Sequence, residues 1–240
     1  MKASNIFSFL ALVVCLFLFS ASGHAKITAK PGSPMRAIQS LDDQLSSFKK
    51  GDHLTEADKA YNKNLKKQII NGTFDVRELS KVSLASHWAE LSAKDQEKFT
   101  QLMTDILQEK ALFSNEHLEA KKKGGSKYTV SYVKESYIAK KKDRAQVYTL
   151  INIPAERLKM QLNYKLKKEG TEWKIYDIIV DEASLVQNYK YQFNKIINKD
   201  GYGHLVGLME KKLKQVKEER AAIELQRTQK KSDFRFANGK

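Results

Sequence analysis

Between residues 128 and 180 apolar and polar side chains alternate with a period of two, whereas on either side the apolar residues recur at helical spacing. The third run is the cleanest: Met160, Leu162, Tyr164 and Leu166 interleave with Lys159, Gln161, Asn163 and Lys165. Successive side chains of a strand point to opposite faces, so this segment makes a strand with one buried and one wet face. Tyr128 to Tyr132, Gln146 to Ile151 and Trp173 to Val180 supply three further runs, with a turn at Gly170. Parallel neighbours need long crossover connections, so the spacing predicts an antiparallel meander.

The flanks read as helices. Ile38, Leu41, Leu45 and Phe48 follow Pro34 at helical spacing. Thr55 with Asp58 has the form of a capping box opening a helix that carries Tyr61, Leu65, Ile69 and Ile70, with Asn71-Gly72 expected to end it. Asp75, boxed with Glu78, is expected to cap a helix bearing Val76, Leu79, Val82 and Trp88. Ser92 with Asp95 opens another, in which Phe99, Leu102, Met103, Ile106 and Leu107 form a single apolar face. Helical spacing returns after Ser184 with Leu185, Tyr189, Phe193, Ile196 and Ile197. It breaks at Gly201-Tyr202-Gly203 and resumes with Leu205, Leu208, Met209 and Leu213. Helices, then strands, then helices predict an α+β fold, an antiparallel sheet of about four strands roofed by N-terminal and C-terminal helices. A packed interface and an open slot satisfy this pattern equally.

The ends read differently. Lys2 precedes an apolar run from Ile6 to Phe19, shorter than the ~20 residues that span a bilayer. Gly23-His24-Ala25 resembles a cleavage site, which predicts a signal peptide over residues 1–25 and a domain over 26–213. Residues 214–240 are rich in charge and Gln and are expected to form an exposed helix passing into disorder beyond Ser232. Cys15, the single cysteine, falls inside the apolar run, so the exported chain is expected to hold no disulfide and no thiolate, as suits a bacterial periplasm.

The net charge is +15. Export argues against nucleic acid as the partner, and the envelope offers anionic lipid surfaces in its place. Catalytic spacings such as G-x-S-x-G, H-E-x-x-H and the phosphate-binding glycine loops are missing, and His53, His87, His117 and His204 form no metal-type pair. No enzyme activity, metal or cofactor is expected. Asp42-Asp43 reads as solvated charge and Asp177 as a structural hydrogen-bonding group, which leaves Asp177 with His87 as the one pair worth testing for chemistry.

The stretch Trp173-Lys174-Ile175-Tyr176-Asp177-Ile178-Ile179-Val180, followed by Ser184-Leu185-Val186-Gln187-Asn188-Tyr189-Lys190-Tyr191-Gln192-Phe193, resembles the signature of the MlaC family. These are the Mla-type, or toluene-tolerance, periplasmic phospholipid-binding proteins. Phe74-Asp75, His87-Trp88 and the Phe99 helix follow in the family's order, and Gly201 with Leu205 fits its closing segment, so the resemblance covers about residues 38–213. Glu182 stands where the family pattern has Gly, and Lys190 where it has Arg.

The resemblance implies a monomeric, non-enzymatic carrier that holds acyl chains in a pocket between sheet and helices. It would exchange lipid with an inner-membrane ABC transporter complex and an outer-membrane lipoprotein complex of Mla type. On that basis the pocket is expected to be lined from the strands by Val147, Thr149, Ile151, Met160, Leu162 and Tyr164, with Trp173 and Ile175. Trp88, Phe99, Leu102, Met103 and Ile106 would line it from the helices. Lys121, Lys122, Lys123 and Lys127, with Lys140, Lys141, Lys142 and Arg144, sit in expected loops and would meet headgroups or acidic partners. A binding module for another hydrophobic ligand and a solid-cored adaptor for a protein partner are the alternatives.

Overall fold

Side-chain caps start the helices. Ser33 accepts from the Arg36 amide, with Pro34 in the first turn. Thr55 and Asp58 form a reciprocal capping box, and Ser92 and Ser184 accept from the amides of Asp95 and Gln187. The computed structural model describes residues 29–49, 54–119, 129–138, 140, 142–154 and 157–237. The expected signal peptide, Lys121 to Lys127 and Lys141 lie outside the described residues. The helices are α1 (Pro34–Ser46), α2 (Glu56–Thr73), α3 (Val76–Leu84), α4 (His87–Glu90), α5 (Ala93–Glu119), α6 (Leu185–Asp200) and α7 (Tyr202–Ala237). Between α5 and α6 come β1 (Thr129–Tyr137), β2 (Arg144–Ile153), β3 (Leu158–Glu169), β4 (Glu172–Val180) and β5 (Ala183–Ser184).

The sheet is an antiparallel meander in the order β1-β2-β3-β4-β5, one short strand more than the alternation predicts. β2 alternates strictly, with Ala145, Val147, Thr149, Ile151 and Ile153 buried and their neighbours half-exposed. β4 does not alternate, because the pairing jumps from Lys165↔Asp177 to Leu166↔Ile175 and leaves Tyr176 as an extra residue. Trp173 and Ile175 therefore share a face with Ile178 and Val180, and the strand reads in sequence as an almost continuous apolar run.

Four local expectations are corrected. Helix α2 does not stop at Asn71-Gly72 but runs to Thr73, because Phe74 leaves it in extended conformation and bridges to Ile175. Asp75 caps α3, yet Glu78 does not complete a box there: the Asp75 amide is already bound to the Ile175 carbonyl at 2.8 Å. Trp88 is not on that helix, since Ala85 turns the chain at φ 53° and Trp88 falls in the separate turn α4. Asp42 is not solvated; it is buried and accepts a hydrogen bond from the Tyr132 hydroxyl of β1.

The carboxylate of Glu78 faces the sheet instead. Arg144 of β2 donates to it at 2.7 Å and Lys167 of β3 at 2.9 Å, while Lys167 also reaches Asp75 at 3.3 Å. Burial by itself would raise the Glu78 pKa, but the hydrogen bonds and charges of Lys167 and Arg144 outweigh it and hold the carboxyl below its ordinary value. This cluster ties α3 to two strands. Helix α1 lies against β1, β2 and β4; α2, α3 and α6 lie against β4; and α5 packs on α2, α3 and α7. One connected hydrophobic cluster runs through both layers.

Two outcomes follow from this geometry. Glu78→Gln leaves two half-buried cations underpaired and is expected to lower unfolding free energy by about 2 kcal/mol at neutral pH. Because the native carboxyl titrates below its unfolded value of 4.5, that stabilisation is present above this pH and vanishes as pH falls further. Urea melts of both proteins should therefore converge in acid. In the β4–β5 turn, Asp181 (φ 43°) and Glu182 (φ 73°) both occupy the left-handed region. Asp adopts it at lower cost than Glu, and Glu182→Gly is expected to raise stability by about 1 kcal/mol, read as an increase in Tm.

Candidate functional site

The inner face of the sheet is built from cross-strand pairs. Val147 lies opposite Tyr164, Thr149 opposite Leu162 and Ile151 opposite Met160, so six residues expected at the site share one surface of β2 and β3. All are buried except Met160, which is half-buried and packs against the core. Thr149 donates its hydroxyl to the Leu162 carbonyl, so its one polar atom is satisfied inside the sheet. The same face continues through Leu166 beside Ile175, Tyr164 beside Ile178 and Leu162 beside Val180.

The helical residues expected to oppose these strands are buried, but they belong to a different layer. Phe99 meets Phe193 of α6 edge-on at 5.9 Å between ring centres, and Tyr202 of α7 at 6.2 Å. Leu102, Met103 and Ile106 are buried along the same helix, whose main neighbours are other helices. The helix lying across β1 and β2 is α1, with Ile38, Leu41 and Leu45 buried. Their spacing marks a helix in the sequence, but nothing in that spacing says which layer the helix covers.

Both tryptophans are anchored. Trp173 donates from its indole nitrogen to the Gly32 carbonyl at 3.1 Å and lies against the Tyr137 ring at 5.9 Å. It thereby fixes the entry of α1 against the β3–β4 hairpin. Trp88 is buried with the Arg77 guanidinium over its ring at 5.2 Å, a cation–π contact on the helical side. Among the basic residues, Lys140 and Lys142 are exposed in the turn after β1. Arg144 is not in that loop: it opens β2, ion-pairs with Glu78 and lies over the Tyr176 ring at 5.2 Å.

The two groups singled out for chemistry have separate partners. Asp177 accepts from Ser184 Oγ at 2.8 Å and from the Val186 amide at 3.1 Å, and Lys165 Nζ lies 3.4 Å away, so it holds the start of α6 against β4. His87 pairs with Glu90 at 3.0 Å across one turn of α4. Among the described residues no group of three or more His, Cys, Asp or Glu side chains could hold a metal ion.

Polar groups in the helical layer are missed by sequence reasoning. Ser80 and Ser83 of α3, with Tyr189 and Gln192 of α6, each carry a buried oxygen without a hydrogen-bond partner, and α3 and α6 pack directly together. Complete burial pushes the Tyr189 hydroxyl pKa well above its usual value. The ring itself stacks on Phe193 at 5.1 Å. An unpartnered buried hydroxyl is a liability rather than a support, so Tyr189→Phe is expected to keep or raise Tm. Tyr132→Phe, which removes a hydrogen bond to the buried Asp42 carboxylate, is expected to lose about 1–3 kcal/mol in the same denaturation assay.

The arrangement has known counterparts. A solved structure of a phospholipid-binding protein from Ralstonia solanacearum, in complex with a phospholipid, superposes with a TM-score of 0.57 at 20% sequence identity, covering 75% of this chain and 97% of that one. No curated protein matches the chain in sequence. The family described as MlaC protein matches residues 39–211, which includes the sheet, the helices that cover it and the Asp177-capped start of α6. The chain belongs to the MlaC family.

Proposed function

We propose that this protein is a non-enzymatic phospholipid carrier of the bacterial periplasm, exported by a cleavable signal peptide. In this reading it is the soluble component of an Mla-type system, exchanging lipid between an inner-membrane ABC transporter complex and an outer-membrane lipoprotein complex. The observation that carries the reading is membership of the MlaC family over residues 39–211, supported by a relative of the same fold solved with a phospholipid. Among the described residues no helix is long and apolar enough to cross a membrane.

The physical task is to keep acyl chains out of water. At ~0.8 kcal/mol per CH₂, one chain of roughly sixteen carbons carries about 13 kcal/mol of exposure penalty, and the carrier must replace most of that burial. The apolar face of β2, β3 and β4 under a helical roof is suited to this, because the Thr149 hydroxyl at its centre is already paired within the sheet. Val147, Thr149, Ile151, Met160, Leu162 and Tyr164 would contact the chains as the two layers part around them, with Trp173 and Ile175 extending the surface. The α5 residues Phe99, Leu102, Met103 and Ile106, and Trp88, would form the wall behind. Lys140 and Lys142, with Lys141 and Lys121 to Lys127, would meet an anionic headgroup or acidic partner, while Arg144 is engaged with Glu78.

Lipid extraction tests the reading directly. A chloroform extract of purified protein, analysed by mass spectrometry, is expected to contain about one phospholipid per molecule. Ile151→Trp or Leu162→Trp, placed on the shared strand face, is expected to reduce that content several-fold while the far-ultraviolet circular dichroism stays native. A protein that yields no lipid even after incubation with phospholipid would overturn the proposal.

A further inference from the structure

Helix α1 lies across β1 and β2 with Ile38, Leu41 and Leu45 buried, so an acyl chain laid on the proposed lipid face takes over contacts that α1 now makes. The two ends of this helix are held differently. Just past its C-terminal end, Lys49 and Asn62 of α2 exchange two hydrogen bonds. The Lys49 amide donates at 2.8 Å, and the Asn62 side-chain amide donates to the Lys49 carbonyl at 2.9 Å. Asp42, further along the helix, accepts from Tyr132. At the N-terminal end, backbone groups meet single side chains of the sheet. The Met35 amide donates to the Glu135 carboxylate at 2.8 Å, and the Gly32 carbonyl accepts from the Trp173 indole at 3.1 Å. Side-chain latches of this kind release by rotamer changes and leave the strand ladder intact, whereas the C-terminal end stays fastened to α2.

The latched end adjoins a corner of rings and cations. Trp173 lies against Tyr137, which is exposed at the end of β1. Lys142 Nζ stands 6.0 Å from the centre of the Tyr137 ring, and Lys168 Nζ stands 6.0 Å from that of Trp173. The Lys168 amide donates to the Asp143 carbonyl at 2.8 Å, which places the two lysines side by side. Both are exposed, and among the described residues neither ion-pairs with a carboxylate. Two ammonium groups without counter-charges, set over two rings, suit a phosphate diester whose glycerol end rests on aromatic surface.

We propose that the N-terminal end of α1 is the gate of the carrier, lifting from Glu135 and Trp173 to admit acyl chains onto the β2–β3 face while Lys142 and Lys168 receive the lipid phosphate. The proposal rests on the carrier reading and adds to it a mouth, a moving part and a headgroup site.

Removal of residues 1–25, as proposed above, leaves no cysteine, so an introduced thiol pair reacts alone. Met35→Cys/Glu135→Cys, joined by a short bis-maleimide, is expected to slow transfer of fluorescent phosphatidylglycerol from the loaded protein to acceptor vesicles. The loss should be at least about tenfold relative to the same variant left unjoined. Trp173→Phe keeps a ring but drops the N–H, and tests the latch without thiols; it should speed transfer several-fold. Lys142→Gln/Lys168→Gln should slow loading from phosphatidylglycerol vesicles several-fold at low salt, with a smaller difference at high salt and native circular dichroism throughout. Equal transfer by the joined and unjoined protein, or no acceleration in Trp173→Phe, would overturn the gate. Undiminished loading of the double Gln variant would overturn the headgroup site. In each case lipid would still be extracted from the wild type, whereas a wild type that yields none even after incubation with phospholipid removes the carrier reading and the gate with it.

Discussion

An antiparallel sheet with one apolar face is not stable in water until that face is covered, and in this chain the cover is helical. The requirement governs how the other elements sit. Helix α1 lies across β1 and β2, and α2, α3 and α6 close over β4. Dispersion and hydrophobic burial bring the layers together without direction, and it is polar contacts that give the layers a fixed alignment. Glu78 between Arg144 and Lys167, Asp42 beneath Tyr132, Asp177 at the start of α6 and Trp173 on Gly32 are four such directional ties from helix or loop to strand.

Two of these ties, through Tyr132 opposite Thr149 and through Trp173, start from the apolar face itself, and the other two, through Glu78 and Asp177, lie off it. The inner surfaces of β2 and β3 present aliphatic and aromatic groups on paired strands, and the Thr149 hydroxyl among the central pairs is bonded to a carbonyl. Directional contacts at both ends of a largely apolar interior are compatible with the carrier role proposed above.

The helical half is less perfectly satisfied than the sheet. Buried side-chain oxygens of Ser80, Ser83, Tyr189 and Gln192 go without partners where α3 meets α6, while Asn194 donates to the Ser83 carbonyl at 3.2 Å across the same interface. The sheet and the Glu78–Arg144–Lys167 cluster are therefore expected to be the stiffer part of the molecule, since every buried polar group left unpaired subtracts from local stability.

Local periodicity and capping chemistry were enough to read the α+β class, the meander and the starts of most helices, because these depend on residues within one or two turns of each other. The strand face of the candidate site was legible for the same reason: alternation along β2 and β3 places Val147, Thr149, Ile151, Leu162 and Tyr164 on one face whatever surrounds them. What tertiary structure alone decided were the pairings across long separations. Asp42 is buried because β1 brings Tyr132 to it, Glu78 leaves its expected box because β2 and β3 bring Arg144 and Lys167, and α2 outruns Asn71-Gly72 because Phe74 docks on Ile175. Likewise the Phe99 stripe announces a buried helix but not the layer it covers, since an apolar face specifies burial and carries no information about which partner supplies it.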